Sequence, residues 1–243
     1  MRISRVYQSM PLQEGLTVSL DRFAVHHVIS VLRLSVHDPL IVFNGEGGEF
    51  SAIISKISKK EVLVILETFH DVERESTLKI HLGQGISRSE RMDFTIQKSV
   101  ELGVDAITPL ITERSRVKLS DERWQRRTEH WQRIMIQACE QCGRNRIPVL
   151  YPVMKYSVWV EQVLAPLKFI LFPHAENKLY PSRNFEKEIV LLVGPEGGLS
   201  EEEERLAKQH GFQGLKLGNR VLRTETAALV AISAVQATWG DFI

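Results

Sequence analysis

The segment Leu191-Leu-Val-Gly-Pro-Glu-Gly-Gly198 constrains the fold more than any other. A continuous apolar run ends in a glycine-rich turn, and Ser200-Glu-Glu-Glu203 then supplies a capping box that opens a helix. A strand that is apolar on both faces belongs in a parallel sheet covered by helices. Strand, turn and capped helix form the unit of an α/β domain, whose ligands bind at the carboxyl ends of the strands. The spacing is not G-x-G-x-x-G, and no Lys-Ser/Thr follows as in a phosphate-binding loop. Four carboxylates at the helix start, Glu201 to Glu204, repel phosphate while satisfying the helix dipole. The turn therefore suits a neutral or cationic ligand held by backbone groups, or else is an ordinary tight turn; pattern alone leaves both open.

A second loop, Leu217-Gly-Asn-Arg-Val-Leu-Arg-Thr-Glu-Thr226, has the same character. It runs from a short strand at Leu215–Leu217 to a helix over Thr224 to Trp239, with Thr224 as the expected N-cap. Arg223 and Glu225 are charges at the mouth of a helix that is apolar nearly all round, so both of its faces need cover, one by the sheet and the other by a second subunit or another buried element. Two glycine-bearing loops at one sheet edge make a pocket more probable than either alone.

The rest of the second half alternates strand and helix: strands at Leu78–Leu82, Ala106–Ile111, Phe169–Phe172 and Ile189–Val193, helices at Ser89 to Leu102 and Asp121 to Cys142. The first seventy residues differ. They carry short β-like runs at Ile3–Tyr7, Thr17–Leu20, Leu40–Phe43, Glu49–Ile57 and Glu61–Glu67, with one helix capped by Asp21 and reaching about Leu34. That spacing suggests a small barrel. The polar stretch Asp71 to Thr77 reads as a linker. The expected organisation is a β-barrel over 1–70 followed by an α/β domain with a mostly parallel sheet over 77–243.

Charge is balanced, with 31 Lys+Arg against 30 Asp+Glu, so nucleic acid binding requires a local patch. One exists: from Glu113 to Arg146 nine basic residues face five acidic ones, and Arg88, Arg91 and Lys98 lie just upstream. Arginine forks suit phosphodiesters. Trp124 and Trp131 share a face of the long helix, whose own arginines fit a solvated surface; Arg114, Arg116, Arg144 and Arg146, at helix ends and loops, are the better RNA candidates. Cys139 and Cys142 form C-x-x-C late in a helix without a second pair, which argues against zinc or redox use, and no histidine recurs at a metal-ligand spacing. No metal site is expected. The apolar runs are far shorter than the roughly 20 residues that cross a bilayer, and MRISRVYQSM lacks a signal-peptide core, so a cytoplasmic protein with no membrane partner is expected.

Four motifs occur together: Arg91-Met-Asp-Phe-Thr-Ile-Gln-Lys-Ser-Val-Glu-Leu-Gly-Val104, Glu140-Gln-Cys-Gly-Arg144, Gly194-Pro-Glu-Gly-Gly198 and Leu217-Gly-Asn-Arg-Val-Leu-Arg-Thr-Glu-Thr-Ala227. In that order, over most of 77–243, they resemble the bacterial ribosomal RNA small subunit methyltransferase E family of the SPOUT superfamily. Weaker similarity at Arg5 and His27-Val-Ile-Ser-Val-Leu-Arg33 extends it into the N-terminal half.

The resemblance implies an N-terminal PUA-like RNA-binding β-barrel and a C-terminal SPOUT α/β domain with a trefoil knot and the cofactor site in about 168–243. It implies S-adenosyl-L-methionine as methyl donor, N3 of a uridine in the decoding region of 16S rRNA as acceptor, the small ribosomal subunit as partner, and a homodimer. A cationic, phosphate-free cofactor agrees with the acidic helix start. By carry-over, Phe172, Pro173, Val193, Gly194, Gly197, Gly198, Leu217, Gly218, Leu222 and Thr224 hold the cofactor, and Arg5, Arg33, Arg88, Arg91, Arg114, Arg116, Arg144 and Arg146 hold RNA. Uridine N3 must lose a proton to attack, so a carboxylate or activated water is needed. Glu196 and Glu225 are the candidates, with Glu140 behind them, and Arg223 would stabilise charge on the uracil carbonyls. The alternatives are a 2′-O-ribose methyltransferase on rRNA or tRNA, and a non-catalytic rRNA-binding module.

Overall fold

The computed structural model describes residues 3–115, 120–172, 174–175, 179 and 187–242. The chain divides into two compact units: Met1–Glu75 with Ile136–Ile147, and Ser76–Met135 with Pro148–Ile243.

In the first unit the β-like runs pair as one five-stranded sheet of order β1-β3-β4-β5-β2. The strands are β1 (Ser4–Tyr7), β2 (Thr17–Ser19), β3 (Pro39–Phe43), β4 (Glu49–Ile57) and β5 (Val62–His70). β1 runs parallel to β3 and the other pairs are antiparallel, with register shifts in β4 that bend the longest hairpin. Alternate residues, among them Val42, Ala52, Ile54, Val62, Val64 and Leu66, turn inward to make its core. Asp21 caps α1 (Arg22–His26) by accepting from the N–H groups of Phe23 and Ala24, as its sequence position predicts. The helix then widens into a π-helical turn, His27–Leu32, and stops at Arg33, whose φ of 54° no helix continues.

The second unit holds a parallel sheet of order β12-β10-β11-β6-β7-β8, with β9 also paired to β7. Its strands are β6 (Lys79–Gly85), β7 (Ala106–Ile111), β8 (Val149–Leu150), β9 (Met154–Lys155), β10 (Leu167–Leu171), β11 (Glu188–Val193) and β12 (Gln213–Leu215). Its helices are α2 (Ser89–Glu101), α3 (Asp121–Cys142), whose last turns count with the first unit, α4 (Tyr156–Gln162), α5 (Glu201–Gln209) and α6 (Thr224–Trp239). Of the central strands, β11 is apolar and buried from Ile189 to Val193, and β6 is buried from Leu82 to Gly85 although it carries Lys79, His81 and Gln84. In α2, Met92, Ile96 and Val100 are buried at the expected i, i+4, i+8 spacing. Trp131 of α3 is fully buried and donates from its indole to Asp93 at 3.1 Å, while Arg127 lies over its ring.

The capping box of α5 forms as its sequence predicts: Ser200 Oγ accepts from the Glu203 N–H, and Glu203 Oε2 from the Ser200 N–H. α6 departs from expectation at its start. Its N-cap is Arg223, which makes no side-chain cap bond, and Thr224 is the first helical residue with its hydroxyl directed elsewhere. Along α6, Ala228, Ala231, Ile232 and Val235 are buried, whereas Val230 is 38 % exposed.

Candidate functional site

The two glycine loops line one cleft. Val193 ends β11, Gly194, Pro195, Glu196, Gly197 and Gly198 follow it, and Val221, Leu222, Arg223, Thr224 and Ala227 precede and open α6; with Arg91, Arg114, Leu171 and Phe172 among the other walls they enclose about 520 Å³. A smaller hollow, sharing Leu171, Phe172, Leu222 and Ala227 with the cleft, adds Leu217, Gly218 and Arg220. Each expected cofactor residue that is described lines either the cleft or this adjoining hollow. Pro173, also expected there, lies outside the described residues.

Hydrogen bonds fix the two loops to each other. Thr224 Oγ1 donates to the Gly194 carbonyl at 2.6 Å and accepts from Gln84 Nε2 at 3.0 Å. Gln84, fully buried at the end of β6, also donates to the Gly85 carbonyl. Gly85 lies directly under the first loop: a Cβ there would come within 2.6 Å of Pro195, so only glycine admits that approach. Gly198 and Gly218 have φ of +69° and +92°, backbone positions that disfavour side chains. Sequence patterning missed Gln84 and Gly85; their one signal is a Gln-Gly pair that ends a buried strand.

The chemistry of this cleft fits S-adenosylmethionine. Its walls are apolar at Leu171, Phe172, Val193, Leu217, Leu222 and Ala227, and its one carboxylate from α5 is Glu204, which suits a cation and opposes a phosphate. Several glycine backbone groups here are already held: the Gly194 carbonyl by Thr224, the Gly197 carbonyl by Arg114 and the Gly198 N–H by the Pro195 carbonyl. Arginines gather on another part of the wall. Arg114 donates to the Gly197 carbonyl at 3.0 Å, and Arg91 stands 3.7 Å from Glu196 and 3.8 Å from Glu225.

The candidate acid–base groups fall into different settings. Glu196 Oε1 accepts from the Arg88 N–H at 2.9 Å. Glu225, on the first turn of α6, is not among the cleft residues; it adjoins the cleft residue Thr224 and has one buried oxygen, Oε2, with no partner among the described residues. Arg223 lines the cleft and is exposed. Glu140 is not among the cleft residues; it belongs to the first unit and accepts from the Tyr7 N–H at 3.0 Å. Burial pushes its carboxyl up to about 7, against a smaller opposing effect of that N–H.

The arginines expected to bind RNA do not share one fate, and two require correction. Arg5 is buried, bonded to Glu49 and, at 2.5 Å, to Asn145 Oδ1. Arg144 is buried and holds Glu75 with two hydrogen bonds. Both guanidinium groups are spent inside the first unit, where an unpaired buried charge would be costly, so neither offers a fork to a phosphate. Arg74 also reaches Glu49; burial alone would raise the Glu49 carboxyl, but hydrogen bonds from Arg74 and Arg5 hold it down at about 2. Arg146 pairs with Glu73 and stays half exposed. Arg33, Arg88 and Arg114 are exposed and Arg91 is half-buried, while Arg116 lies outside the described residues.

Cys139 and Cys142 are not bridged, and burial pushes the Cys139 thiol up to about 12, so it stays protonated. Among the described residues, no group of three or more His, Cys, Asp or Glu could hold a metal ion, and no helix is long and apolar enough to cross a membrane.

Comparison with known proteins agrees with this geometry. An RNA methyltransferase domain family matches residues 74–236, and an RNA methyltransferase PUA domain family matches residues 20–67. The ribosomal RNA small subunit methyltransferase E of Buchnera aphidicola is 39 % identical over 99 % of this chain and 96 % of its own. A solved structure from Legionella pneumophila, in complex with the bound cofactor SAM, is 45 % identical with a TM-score of 0.97, covering 100 % of both chains. The solved ribosomal RNA small subunit methyltransferase E of Neisseria gonorrhoeae, bound to S-adenosyl methionine, is 41 % identical with a TM-score of 0.92, again covering 100 % of both chains. With a PUA-like N-terminal unit, a parallel α/β unit and relatives matched along their full length, this chain belongs to the ribosomal RNA small subunit methyltransferase E family.

Proposed function

We propose that this protein is an S-adenosylmethionine-dependent methyltransferase that modifies N3 of a uridine in the decoding region of 16S rRNA, within the small ribosomal subunit. The observation that carries this is the single cleft bounded by both glycine loops, apolar on its walls and bordered by Arg91 and Arg114. Bound S-adenosylmethionine would supply an electrophilic methyl group. Phe172, Val193, Gly194, Gly197, Gly198, Leu217, Gly218, Leu222 and Thr224 would hold it, with Pro173 kept from the sequence expectation.

The chain's own work is aim and proton removal. A uracil paired in a duplex cannot enter such a cleft, so the acceptor is unstacked or flipped. Glu225, next to the cleft residue Thr224 and with an Oε2 that has no partner among the described residues, is the preferred proton acceptor once the cleft is filled. Glu196 is the second candidate, already bonded to the Arg88 N–H. Arg223 would balance the charge that spreads onto the uracil carbonyls.

Residues 1–70 would serve as an rRNA-binding unit and 77–243 as the methyltransferase, with Arg33, Arg88, Arg91, Arg114 and Arg116 on the RNA. A trefoil knot over about 168–243 fits the order β12-β10-β11, in which the chain passes from one side of β10 to the other between β11 and β12. A homodimer would cover the partly exposed apolar face of α6 around Val230. The protein would act in the cytoplasm.

Incubation with small subunits and isotope-labelled S-adenosylmethionine, followed by nucleoside mass spectrometry, tests this proposal. N3-methyluridine is expected. Methyl on a ribose would assign a 2′-O-methyltransferase, and failure to bind the cofactor would leave a non-catalytic rRNA-binding module.

A further inference from the structure

A second cavity, of about 270 Å³, lies against the cleft, and the two share Arg91, Arg114, Glu196 and Gly197 as a common wall. Its other lining residues are Ile86, Ser87 and Arg88, the segment that leads from β6 into α2. This volume lies below the ~300–1,000 Å³ usual for small-molecule pockets, so the cavity suits a group rather than a second cofactor.

Some of the polar groups around it are bonded, Arg114 to the Gly197 carbonyl and Glu196 to the Arg88 N–H, and others are unspent. Ser87 is 1 % exposed, and its hydroxyl has no hydrogen-bond partner among the described residues. An unpaired buried hydroxyl is costly, and a ligand that accepts from it recovers that cost. α2 has 13 residues and opens here with Arg88 as an N-cap that makes no side-chain cap bond. The Arg88 N–H goes to Glu196, whereas the N–H groups of Ser89 and Glu90 have no partner among the described residues. Three arginines face one carboxylate, Glu196, in this lining. Arg88 has no partner for its guanidinium among the described residues, and Arg91 is too far from its two carboxylates for a hydrogen bond.

Donors without acceptors, positive charge and a helix N-terminus together describe an oxyanion site. This contrasts with α5, where four glutamates at the helix start disfavour phosphate. We propose that the cavity beside Ser87 is a phosphate subsite that takes a backbone phosphodiester of the acceptor RNA, next to the nucleotide whose base enters the cleft. The inference rests on the proposed function for its source of phosphate, and it adds Ser87 and the first turn of α2 to the RNA-contacting surface. Glu196 then stands between the two compartments.

Titration of the ¹⁵N-labelled full-length protein with inorganic phosphate, uridine 5′-monophosphate and uridine tests it. Phosphate and the nucleotide should shift the Ser89 and Glu90 amide signals, and uridine should not. Arg88→Ala should weaken both responses about tenfold, and Ser87→Ala about threefold, with cofactor affinity unchanged within about twofold. No shift at these amides, or an equal response to uridine, would overturn the proposal. A single-stranded RNA containing the acceptor uridine, with a neutral methylphosphonate as its 5′ linkage, separates RNA from free phosphate. Wild type should lose affinity for it and Arg88→Ala should be indifferent; equal wild-type affinity for both RNAs would overturn the assignment to RNA. Failure of the proposed function reads differently: the amides respond and the RNA binds, but no methyl is transferred.

Discussion

The Thr224 hydroxyl donates to the Gly194 carbonyl at 2.6 Å, across 30 residues of chain. The bond joins the loop after β11 to the start of α6, and Gln84 Nε2 secures it from the neighbouring strand. Thr224→Val keeps the shape of the side chain but leaves the Gly194 carbonyl and the Gln84 amide short of a partner. We predict a loss of about 1–3 kcal/mol of stability and about tenfold weaker cofactor binding. Thermal unfolding and calorimetric titration of S-adenosylmethionine check this; unchanged affinity would mean that the bond does not shape the pocket.

Glu225 and Glu196 differ in what they already hold, which separates their variants. Glu225→Gln should lower kcat by about 10²–10⁴ with cofactor affinity intact, as expected for a lost proton acceptor. Glu196→Gln keeps an oxygen for the Arg88 N–H and should cost less than Glu225→Gln. Single-turnover methylation of small subunits distinguishes them, and the reverse ranking would move the proton to Glu196.

Arg144 and Arg33 test the distinction between buried and exposed arginines. Arg144→Ala strands Glu75 inside the first unit and should cost about 3–5 kcal/mol of stability. Arg33→Ala, at an exposed αL position, should leave stability nearly unchanged and reduce the salt slope of RNA binding by about one. Urea unfolding and RNA titrations over a salt series give both values. A stable Arg144→Ala with a reduced salt slope would return that residue to the RNA surface.

Glu140 gives the first unit a pH dependence. Its folded carboxyl sits near 7 because burial disfavours the charged form, against 4.5 as the ordinary value. It therefore weakens the fold as pH rises from about 4.5, with the full penalty above about 7. Glu49, held at about 2, acts on the acid side: its contribution is present above about 4.5 and lost as pH falls towards 2. Wild type should lose on the order of 1–3 kcal/mol between pH 5 and pH 8, and Glu140→Gln should flatten that limb. Melting curves across this range decide it; an unchanged wild-type stability would contradict the burial of that charge.

Much of the site was legible because its signals are local. Apolar runs ending in glycine mark β11 and its turn, and the Ser200 to Glu203 spacing marks the cap of α5. What stayed hidden depends on distant partners. Thr224 looks like a helix cap by position, yet its hydroxyl serves Gly194. Arg5 and Arg144 look like surface charges, yet their carboxylates lie 44 and 69 residues away. The two-residue strands β8 and β9 carry no period to detect. The placement of Ile136–Ile147 with the first unit leaves no mark either, because the helical pattern of α3 runs unbroken through Met135 and Ile136.

On the proposed function, residues 193–198 and 217–224 grip one ligand together. Amide hydrogen exchange of the full-length protein, with and without S-adenosylmethionine, tests it most directly. Slowed exchange is expected in both segments at the same cofactor concentration, with Thr224→Val weakening the two in parallel. Protection confined to one loop, or to neither, would contradict it.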